Sequence, residues 1–380
     1  MIQRDLQELL HKRIDGKKVI IVLGARQVGK TTLLRTLVNA NAPNVLWLNG
    51  DEPDVRERYS NASSTALRAA IGKQDTVVFD EAQRIFDIGL SVKIIHDQYP
   101  DLKVFVTGSS SLELHGIFKE PLTGRKWEYH LHPFSYNELV SHFGYLEEQR
   151  MLEQRMIFGS YPEVILADHG QQRQTLLQLL DSYLFKDLFS LGGIKRPTQF
   201  EKLLKAIAFQ VGNEVSYTEL GQMAELDNET VLRYIDLMEQ SFLIFRLSAL
   251  SRNLRNEIKK SRKLYFYDNG VRNALIGNFN DLANRSDVGA LWENYLVCER
   301  LKLIHNTGAY GSRYFWRTHA QQEIDYIEDF DGMLHAYEFK WGTKKKAHFS
   351  RAFTNAYPNT ETKVITPKNY HEFLSPDDEG

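Results

Sequence analysis

The chain has little cysteine and no long hydrophobic run. Its one cysteine, Cys298, can form neither an internal disulfide nor a thiolate metal cage, so a disulfide scaffold and a zinc module are excluded. The longest apolar run, Val19 to Leu23, is far shorter than the roughly 20 residues that cross a bilayer. The first five residues carry charge where a signal peptide needs an apolar stretch. We therefore expect a cytoplasmic protein without a membrane partner.

An excess of one charge is also missing. There are 47 Lys and Arg residues against 49 Asp and Glu residues, a formal net charge of -2. Global electrostatics therefore does not attract this chain to nucleic acid, and any polyanion site must come from local clusters. With 42% hydrophobic residues over 380 positions, the chain can fold, and its length predicts two or three domains.

The first part of the chain alternates short apolar runs with longer segments. One run, Val19–Leu23, has the character of a buried strand, and four further runs are typical of short β-strands, namely Val45–Leu48, Thr76–Phe79, Lys103–Thr107 and Trp127–Leu131. The segments between them are long enough for crossover helices, which favours a mostly parallel α/β sheet. We predict that this domain covers residues 1–141.

The middle of the chain is helical in pattern. Two predicted helices, Thr218–Ala224 and Glu229–Gln240, precede an apolar run from Phe242 that is typical of the start of a β-hairpin. That order describes a winged helix, although an arbitrary helical connector stays an alternative. After Lys263 the pattern becomes α/β again. We therefore predict a lid and winged helix over residues 142–263 and a third, α/β domain over 264–380.

A phosphate-binding motif follows the first strand. The sequence Gly-Ala-Arg-Gln-Val-Gly-Lys-Thr fits G-x-x-x-x-G-K-[ST] and lies between a buried strand and a helix. Backbone N–H groups and the helix N-terminus would hold phosphate oxygens, Lys30 would neutralise their charge, and Thr31 would offer a hydroxyl to Mg²⁺. We predict that ATP and Mg²⁺ bind here, with the loop residues Gly24, Ala25, Arg26, Gln27, Val28, Gly29, Lys30, Thr31 and Thr32.

Polar residues follow two later strands. Asp80 and Glu81 come directly after an apolar strand, where Asp80 would hold Mg²⁺ and Glu81 would orient or deprotonate the attacking water. The next strand ends in Thr-Gly-Ser-Ser, from which we take Ser109 as a sensor of the γ-phosphate; a serine that caps the next helix is the alternative. Arg125 lies at the rim of the sheet, where it could reach a neighbouring subunit's nucleotide in a homo-oligomer such as a ring, unless it is an ordinary solvated arginine.

These motifs together resemble a known family. The Gly-x-Arg-Gln-x-Gly-Lys-Thr-Thr run, the Asp-Glu-x-Gln run from Asp80, the Thr-Gly-Ser-Ser run, the Gly-Arg pair at Arg125 and the Gly-Ser-Tyr-Pro run at residues 159–162 are similar to those of prokaryotic AAA-type ATPases. The resemblance implies a winged helix and a C-terminal domain of unknown function that is similar to restriction endonucleases. Family members more often have Gly-Gly-Tyr-Pro, so Ser160 departs from the pattern.

The C-terminal region carries an acidic constellation. Asp325 is followed by Glu338 and Lys340 in a D-x(n)-E-x-K arrangement, and Glu293 lies on a preceding predicted helix. Alternation along a strand places Glu338 and Lys340 on one face. The three carboxylates could share Mg²⁺ while Lys340 stabilises charge, which resembles a PD-(D/E)xK nuclease core. A relic that only binds DNA and a structural salt-bridge cluster are the alternatives.

A basic segment follows the predicted hairpin. Its cations would contact DNA phosphates without reading sequence, or would form a solvated loop. They are Arg252, Arg255, Lys259, Lys260, Arg262 and Lys263.

Together these features predict a Mg²⁺-dependent ATPase that couples ATP hydrolysis to DNA binding or remodelling, with DNA cleavage as an added activity. A nucleotide-switched regulatory or scaffold protein with an inactive C-terminal module is one alternative. An ATP-sensing transcription regulator that uses the winged helix alone is the other.

Overall fold

The computed structural model describes residues 1–39, 42–109, 122–168, 170–181, 194–250, 262–318, 320–342 and 349–376. The chain forms two compact units. Met1–Phe134 make up most of the first unit, together with Gln240–Phe242, and most of the later residues form the second. Within the described ranges, no helix is both long enough and apolar enough to span a membrane.

A five-stranded parallel sheet forms the centre of the first unit. Its order is β2-β3-β4-β1-β5, with the strands β1 (Val19–Leu23), β2 (Val45–Asn49), β3 (Thr76–Asp80), β4 (Lys103–Gly108) and β5 (Lys126–His130). All five strands predicted from the sequence are therefore confirmed, as is the parallel α/β class. Each residue of β1 and β3 is buried, as a parallel sheet covered by helices requires.

In the described residues of the first unit, five α-helices precede or separate these strands along the chain. They are α1 (Leu6–His11), α2 (Lys30–Leu37), α3 (Pro53–Tyr59), α4 (Ser64–Ile71) and α5 (Ile88–Gln98). Because β4 lies between β1 and β3, the segments that follow these three strands emerge side by side at one edge of the sheet.

A mixed seven-stranded sheet forms the second unit. Its order is β12-β11-β10-β9-β7-β8-β6, with the strands β6 (Glu214–Val215), β7 (Ile244–Ala249), β8 (Arg262–Phe266), β9 (Ser312–Arg317), β10 (Glu323–Phe330), β11 (Met333–Phe339) and β12 (Glu361–Ile365). The pairs β7–β9 and β11–β12 are parallel, and the other pairs are antiparallel.

Helices of the second unit precede, separate and follow its strands. They are α6 (Tyr136–Phe143), α7 (Tyr145–Phe158), α8 (Pro162–Ile165), α9 (Gln172–Leu179), α10 (Pro197–Phe209), α11 (Tyr217–Ala224), α12 (Asn228–Gln240), α13 (Asn269–Ile276), α14 (Val288–Thr307), α15 (Arg351–Ala356) and α16 (Tyr370–Leu374). Helix α14 runs through the core, where Trp292 is fully buried, because apolar residues cover almost every side of the helix.

The predicted hairpin is part of this larger sheet. Helices α11 and α12 precede the antiparallel pair β7–β8 in the order that the sequence predicted. Strand β7 also pairs with β9, so both of its edges are hydrogen-bonded. The boundary predicted at 263/264 lies inside β8 and does not separate two compact units, because sheet hydrogen bonds connect the two segments. The term winged helix stays a prediction.

A buried ion pair joins α14 to the second sheet. The Arg300 guanidinium donates to both carboxylate oxygens of Glu328, each at 2.9 Å, and to the Phe373 carbonyl at 2.8 Å. Tyr326 also donates its hydroxyl hydrogen to Glu328. Arg300 is 6% exposed and Glu328 is fully buried, so neither charge has water as an alternative partner.

We expect Glu328→Ala to lower the free energy of unfolding by about 3–5 kcal/mol, because it leaves the buried Arg300 charge without its carboxylate. Urea titration followed by circular dichroism measures this loss. The matched control is Glu147→Ala, which breaks the exposed pair with Arg150 and should cost less than about 1 kcal/mol. Equal losses in both variants would contradict the importance given to the buried pair.

Candidate active site

The phosphate loop connects β1 directly to α2. It begins at Gly24, where a Cβ atom would lie 2.1 Å from the Leu131 carbonyl oxygen, so only glycine fits. It ends at Gly29, whose φ of 97° is in the left-handed region that glycine adopts without strain. The backbone therefore requires both glycines of the motif, and Lys30 begins the helix.

Lys30 points back into its own loop. Its ammonium donates hydrogen bonds of 2.8 Å to the carbonyl oxygens of Gly24 and Ala25, and the side chain is buried. Arg26, Gln27 and Val28 lie in the same turn, and Thr31 and Thr32 follow in the first turn of α2. The predicted loop residues are thus contiguous around one buried cation, which suits a phosphate group.

Thr31 contacts the first residue of the acidic pair. Its hydroxyl lies 3.0 Å and 3.1 Å from the two carboxylate oxygens of Asp80, although the residues are 49 positions apart. Hydroxyl and carboxylate oxygens are ligands that Mg²⁺ accepts together with phosphate oxygens and water. The Thr31 and Asp80 side chains therefore fit the predicted magnesium site.

Thr107 holds both members of the acidic pair. Its hydroxyl donates to Asp80 at 2.6 Å and accepts a hydrogen bond of 3.0 Å from the Glu81 backbone N–H. Glu81 adopts a left-handed conformation with φ 51°, which is costly for a residue that has a Cβ atom. Gly50, the residue after β2, donates its N–H to the Asp80 carbonyl oxygen at 2.8 Å. Contacts from two neighbouring segments thus fix this turn.

Gln83 links Glu81 to Ser109. Its side-chain amide donates to the Glu81 carboxylate at 2.6 Å and to the Ser109 hydroxyl at 2.9 Å. The Gln83 carbonyl oxygen Oε1 is buried and has no hydrogen-bond partner in the described part of the chain. Ser109 therefore lies close to Glu81, and its predicted role as a sensor stays a prediction. Sequence reasoning missed Thr107 and Gln83 as site residues, although both lie inside motifs that it had identified.

Arg125 lies near the N-terminal ends of the strands, opposite to the end where the phosphate loop lies. Its carbonyl oxygen accepts a hydrogen bond from the N–H of Val19, the first residue of β1, whereas the phosphate loop follows the last residue of β1. Its guanidinium donates to Asp97 at 2.7 Å, and this hydrogen bond is the main cause that lowers the pKa of Asp97. Arg125 is thus remote from the candidate site of the same chain, and its action on a neighbouring subunit stays a prediction.

The structure brings the predicted C-terminal residues together. Asp325 lies where β10 carries a register shift, and its carboxylate accepts the Phe339 N–H at 2.7 Å. The Lys340 ammonium is 2.6 Å from Glu338 and 3.5 Å from Asp325. Burial, with the nearby charge of Asp325, raises the pKa of Glu338 to about 7.

Glu293, on α14, lies near the cluster of Asp325, Glu338 and Lys340. Its carboxylate accepts hydrogen bonds from Lys263 at 2.8 Å and from the Tyr265 hydroxyl at 2.6 Å. Burial raises the pKa of Glu293 to about 7; Lys263 opposes this shift and Asp325 adds to it. Among the residues that the structure describes, however, no three His, Cys, Asp or Glu side chains form a group that could hold a metal ion. As arranged, these carboxylates do not fit the predicted Mg²⁺.

The predicted DNA-contacting residues divide into three groups. Arg252, Arg255, Lys259 and Lys260 lie outside the described residues. Arg262 is partly buried, and its guanidinium is 3.5 Å from the Tyr217 hydroxyl. The prediction for Lys263 is wrong, because its side chain is fully buried and paired with carboxylates and so cannot reach a DNA phosphate.

Family models match three segments of the chain. Residues 16–140 match an AAA domain, residues 149–282 match a domain of unknown function (DUF8612), and residues 288–374 match a domain of unknown function (DUF4143). The AAA match and the site geometry support a P-loop ATPase in the first unit. The similarity of the C-terminal region to PD-(D/E)xK nucleases is not confirmed, since its model describes no function.

Similar proteins cover most of the chain at low identity. An uncharacterized protein of Mycobacterium tuberculosis is 24% identical over 89% of this chain and 74% of its own length. An uncharacterized protein of Methanocaldococcus jannaschii is 21% identical over 96% of this chain and 85% of its own length. Among solved structures, a Walker-type ATPase of Pyrococcus abyssi is 16% identical, with a TM-score of 0.49, over 73% of this chain and 96% of its own.

We expect Lys30→Ala to raise the dissociation constant for ATP by about 10- to 100-fold, because charge-assisted hydrogen bonds to the phosphates are lost. Isothermal titration calorimetry with ATP and Mg²⁺ measures the change. Arg35→Ala is the control, since it removes an exposed cation from the same helix. Parent-like ATP affinity in Lys30→Ala would show that phosphate does not bind in this loop.

Proposed function

We propose that the first unit hydrolyses ATP to ADP and phosphate with the help of Mg²⁺. The observation that carries this proposal is the contact between Thr31 and Asp80 beside Glu81. It joins a phosphate-binding loop to an acidic pair from a neighbouring segment, and hydrolysis needs both groups at one place.

Each residue of this site has a distinct role in the proposal. Lys30 neutralises the β- and γ-phosphates, and Thr31 and Asp80 would hold Mg²⁺. Bound Mg²⁺ would supply a Lewis acid that draws negative charge from the phosphate oxygens. Glu81 accepts a proton from the water that attacks the γ-phosphorus, while the bond from that phosphorus to the ADP oxygen breaks.

Two further residues complete the reaction scheme. Ser109 senses the γ-phosphate and is connected to Glu81 through Gln83. Arg125 stabilises charge on the nucleotide of a neighbouring subunit, so the functional form is a homo-oligomer in which active sites lie between subunits.

The second unit binds DNA in this proposal. Helices α11 and α12 followed by the β7–β8 pair have the element order of DNA-binding winged helices. The sequence between β7 and β8 carries Arg252, Arg255, Lys259 and Lys260, the predicted phosphate contacts. ATP turnover would couple to DNA binding or remodelling. DNA cleavage is left out, because the Glu293, Asp325 and Glu338 carboxylates do not fit a divalent cation as arranged.

The decisive experiment compares ATP hydrolysis with and without single-stranded, duplex and branched DNA. Stimulation by any DNA form supports a DNA-coupled ATPase. Slow turnover that no DNA form changes favours the second candidate, a nucleotide-switched regulatory or scaffold protein with an inactive C-terminal module. The pairing of Lys340 with Asp325 and Glu338 is the observation that favours this candidate.

We expect Glu81→Gln to bind ATP like the parent protein and to hydrolyse it about 10²- to 10⁴-fold more slowly, because a general base contributes by this amount. Single-turnover hydrolysis of radiolabelled ATP measures the rate. Glu57→Gln removes an exposed carboxylate from α3 and should leave the rate unchanged. Parent-like hydrolysis by Glu81→Gln would require a different residue to activate water.

We expect Gln83→Met to lower the hydrolysis rate about tenfold while ATP affinity stays unchanged, because the side chain loses both donated hydrogen bonds but keeps its volume. The test is a double-mutant cycle with Glu81→Gln. If Gln83 acts through Glu81, its substitution should have little further effect once Glu81 is replaced. Additive losses would point to an ordinary packing role for Gln83.

A further inference from the structure

Lys263 is a fully buried cation among carboxylates of the second unit. Its ammonium is 2.8 Å from Glu293 and 2.5 Å from Glu323, and its side chain has no exposure to solvent. The aromatic ring of Phe315 lies 5.4 Å from the ammonium. A lysine this deeply buried keeps its charge only where carboxylates compensate the loss of water.

Two of the three surrounding carboxylates, those of Glu293 and Asp325, belong to the predicted metal constellation, and Glu323 is a third that was not predicted as a ligand. Glu293 lies on α14, and Glu323 and Asp325 lie at the start of β10. Burial lowers the pKa of Lys263, but the three negative charges outweigh it and raise that pKa above its ordinary value. An ammonium has three hydrogens to donate and no acceptor, so it can bind carboxylate oxygens that converge from several segments.

Other cations of the chain also pair with the carboxylates of this cluster. Glu323 also lies 3.5 Å from the Arg317 guanidinium, and Lys340 pairs with Glu338 and Asp325. Cations of the chain itself therefore face every acidic residue of the constellation. A divalent cation could bind only if a lysine ammonium moved away from these carboxylates. The displaced ammonium would then lack a carboxylate partner, which destabilises a buried charge.

We propose that Lys263 takes the place of the metal ion in this cluster, so that the C-terminal constellation is a metal-independent, lysine-neutralised site. The ammonium connects β8, on which Lys263 lies, to α14 through Glu293 and to β10 through Glu323. This inference concerns the second unit alone and does not depend on ATP hydrolysis by the first.

The experiment measures Mn²⁺ binding to the nucleotide-free full-length protein by electron paramagnetic resonance, together with thermal unfolding in EDTA and in Mn²⁺. The parent protein and the Asp325→Asn variant should bind the same amount of Mn²⁺, because no Mn²⁺ binds at the C-terminal cluster. Lys263→Met should unfold about 5 °C or more below the parent in EDTA, because its carboxylates have lost their central cation. Mn²⁺ should bind this variant and restore much of the lost midpoint, and adding Asp325→Asn should abolish both effects.

Lys302→Met is the matched control. Lys302 is equally buried and pairs with Glu299 at 2.6 Å, also within the second unit. Its loss should lower the unfolding midpoint, but Mn²⁺ should not restore it, since fewer carboxylates converge there. Recovery of both lysine variants by Mn²⁺ would reveal an unspecific effect and overturn the proposal.

Two other results would also overturn it. One is Mn²⁺ binding by the parent protein that Asp325→Asn abolishes, which would show that the native cluster accepts metal. The other is a folded Lys263→Met variant that Mn²⁺ neither binds nor stabilises. If Lys263→Met yields no folded protein in either buffer, the parent measurement decides alone, and absence of an Asp325-dependent Mn²⁺ signal supports the proposal.

Discussion

The parallel pairing of β1, β4 and β3 is the constraint on which the candidate ATP site depends. In this register Val22 lies opposite Thr107, and Phe79 lies opposite Val106. The phosphate loop, the Thr107 hydroxyl and the acidic pair therefore meet at one edge, although they are far apart in the sequence. A shift of one residue between β3 and β4 would turn Thr107 to the other face of the sheet and away from Asp80.

The packing of the second unit depends instead on buried ion pairs. Helix α14 carries Glu293, Glu299, Arg300 and Lys302 into the core, and each has an oppositely charged partner. The pairs of Glu293 with Lys263 and of Arg300 with Glu328 connect α14 to the sheet and restrict how the helix can rotate or slide, because a displaced charge would remain buried without its partner. The Glu299–Lys302 pair lies within α14. Apolar side chains such as Trp292 supply the burial, and the ion pairs specify the register in which the helix packs.

The sequence was most informative where local pattern decides structure. Four strands of the first sheet contain continuous apolar runs, and β5 alternates aromatic with charged residues, so the positions of all five could be predicted closely. The phosphate loop is a contiguous motif. Gln83 and Thr107 were harder to assign, because the motif does not reveal which polar side chain turns toward Glu81. Lys263 was misassigned because it ends a basic run, and charge density along a sequence does not distinguish an exposed cation from one enclosed by distant carboxylates.

Gly50 shows how a position without functional groups can limit what this site tolerates. A Cβ atom there would lie 2.4 Å from the Glu81 carbonyl oxygen, closer than nonbonded atoms approach. Any larger residue at the end of β2 would push the strained turn that carries Glu81, while the phosphate loop on β1 stayed in place. If the first unit hydrolyses ATP as proposed, a substitution at position 50 would give a protein that keeps ATP as a bound ligand without consuming it.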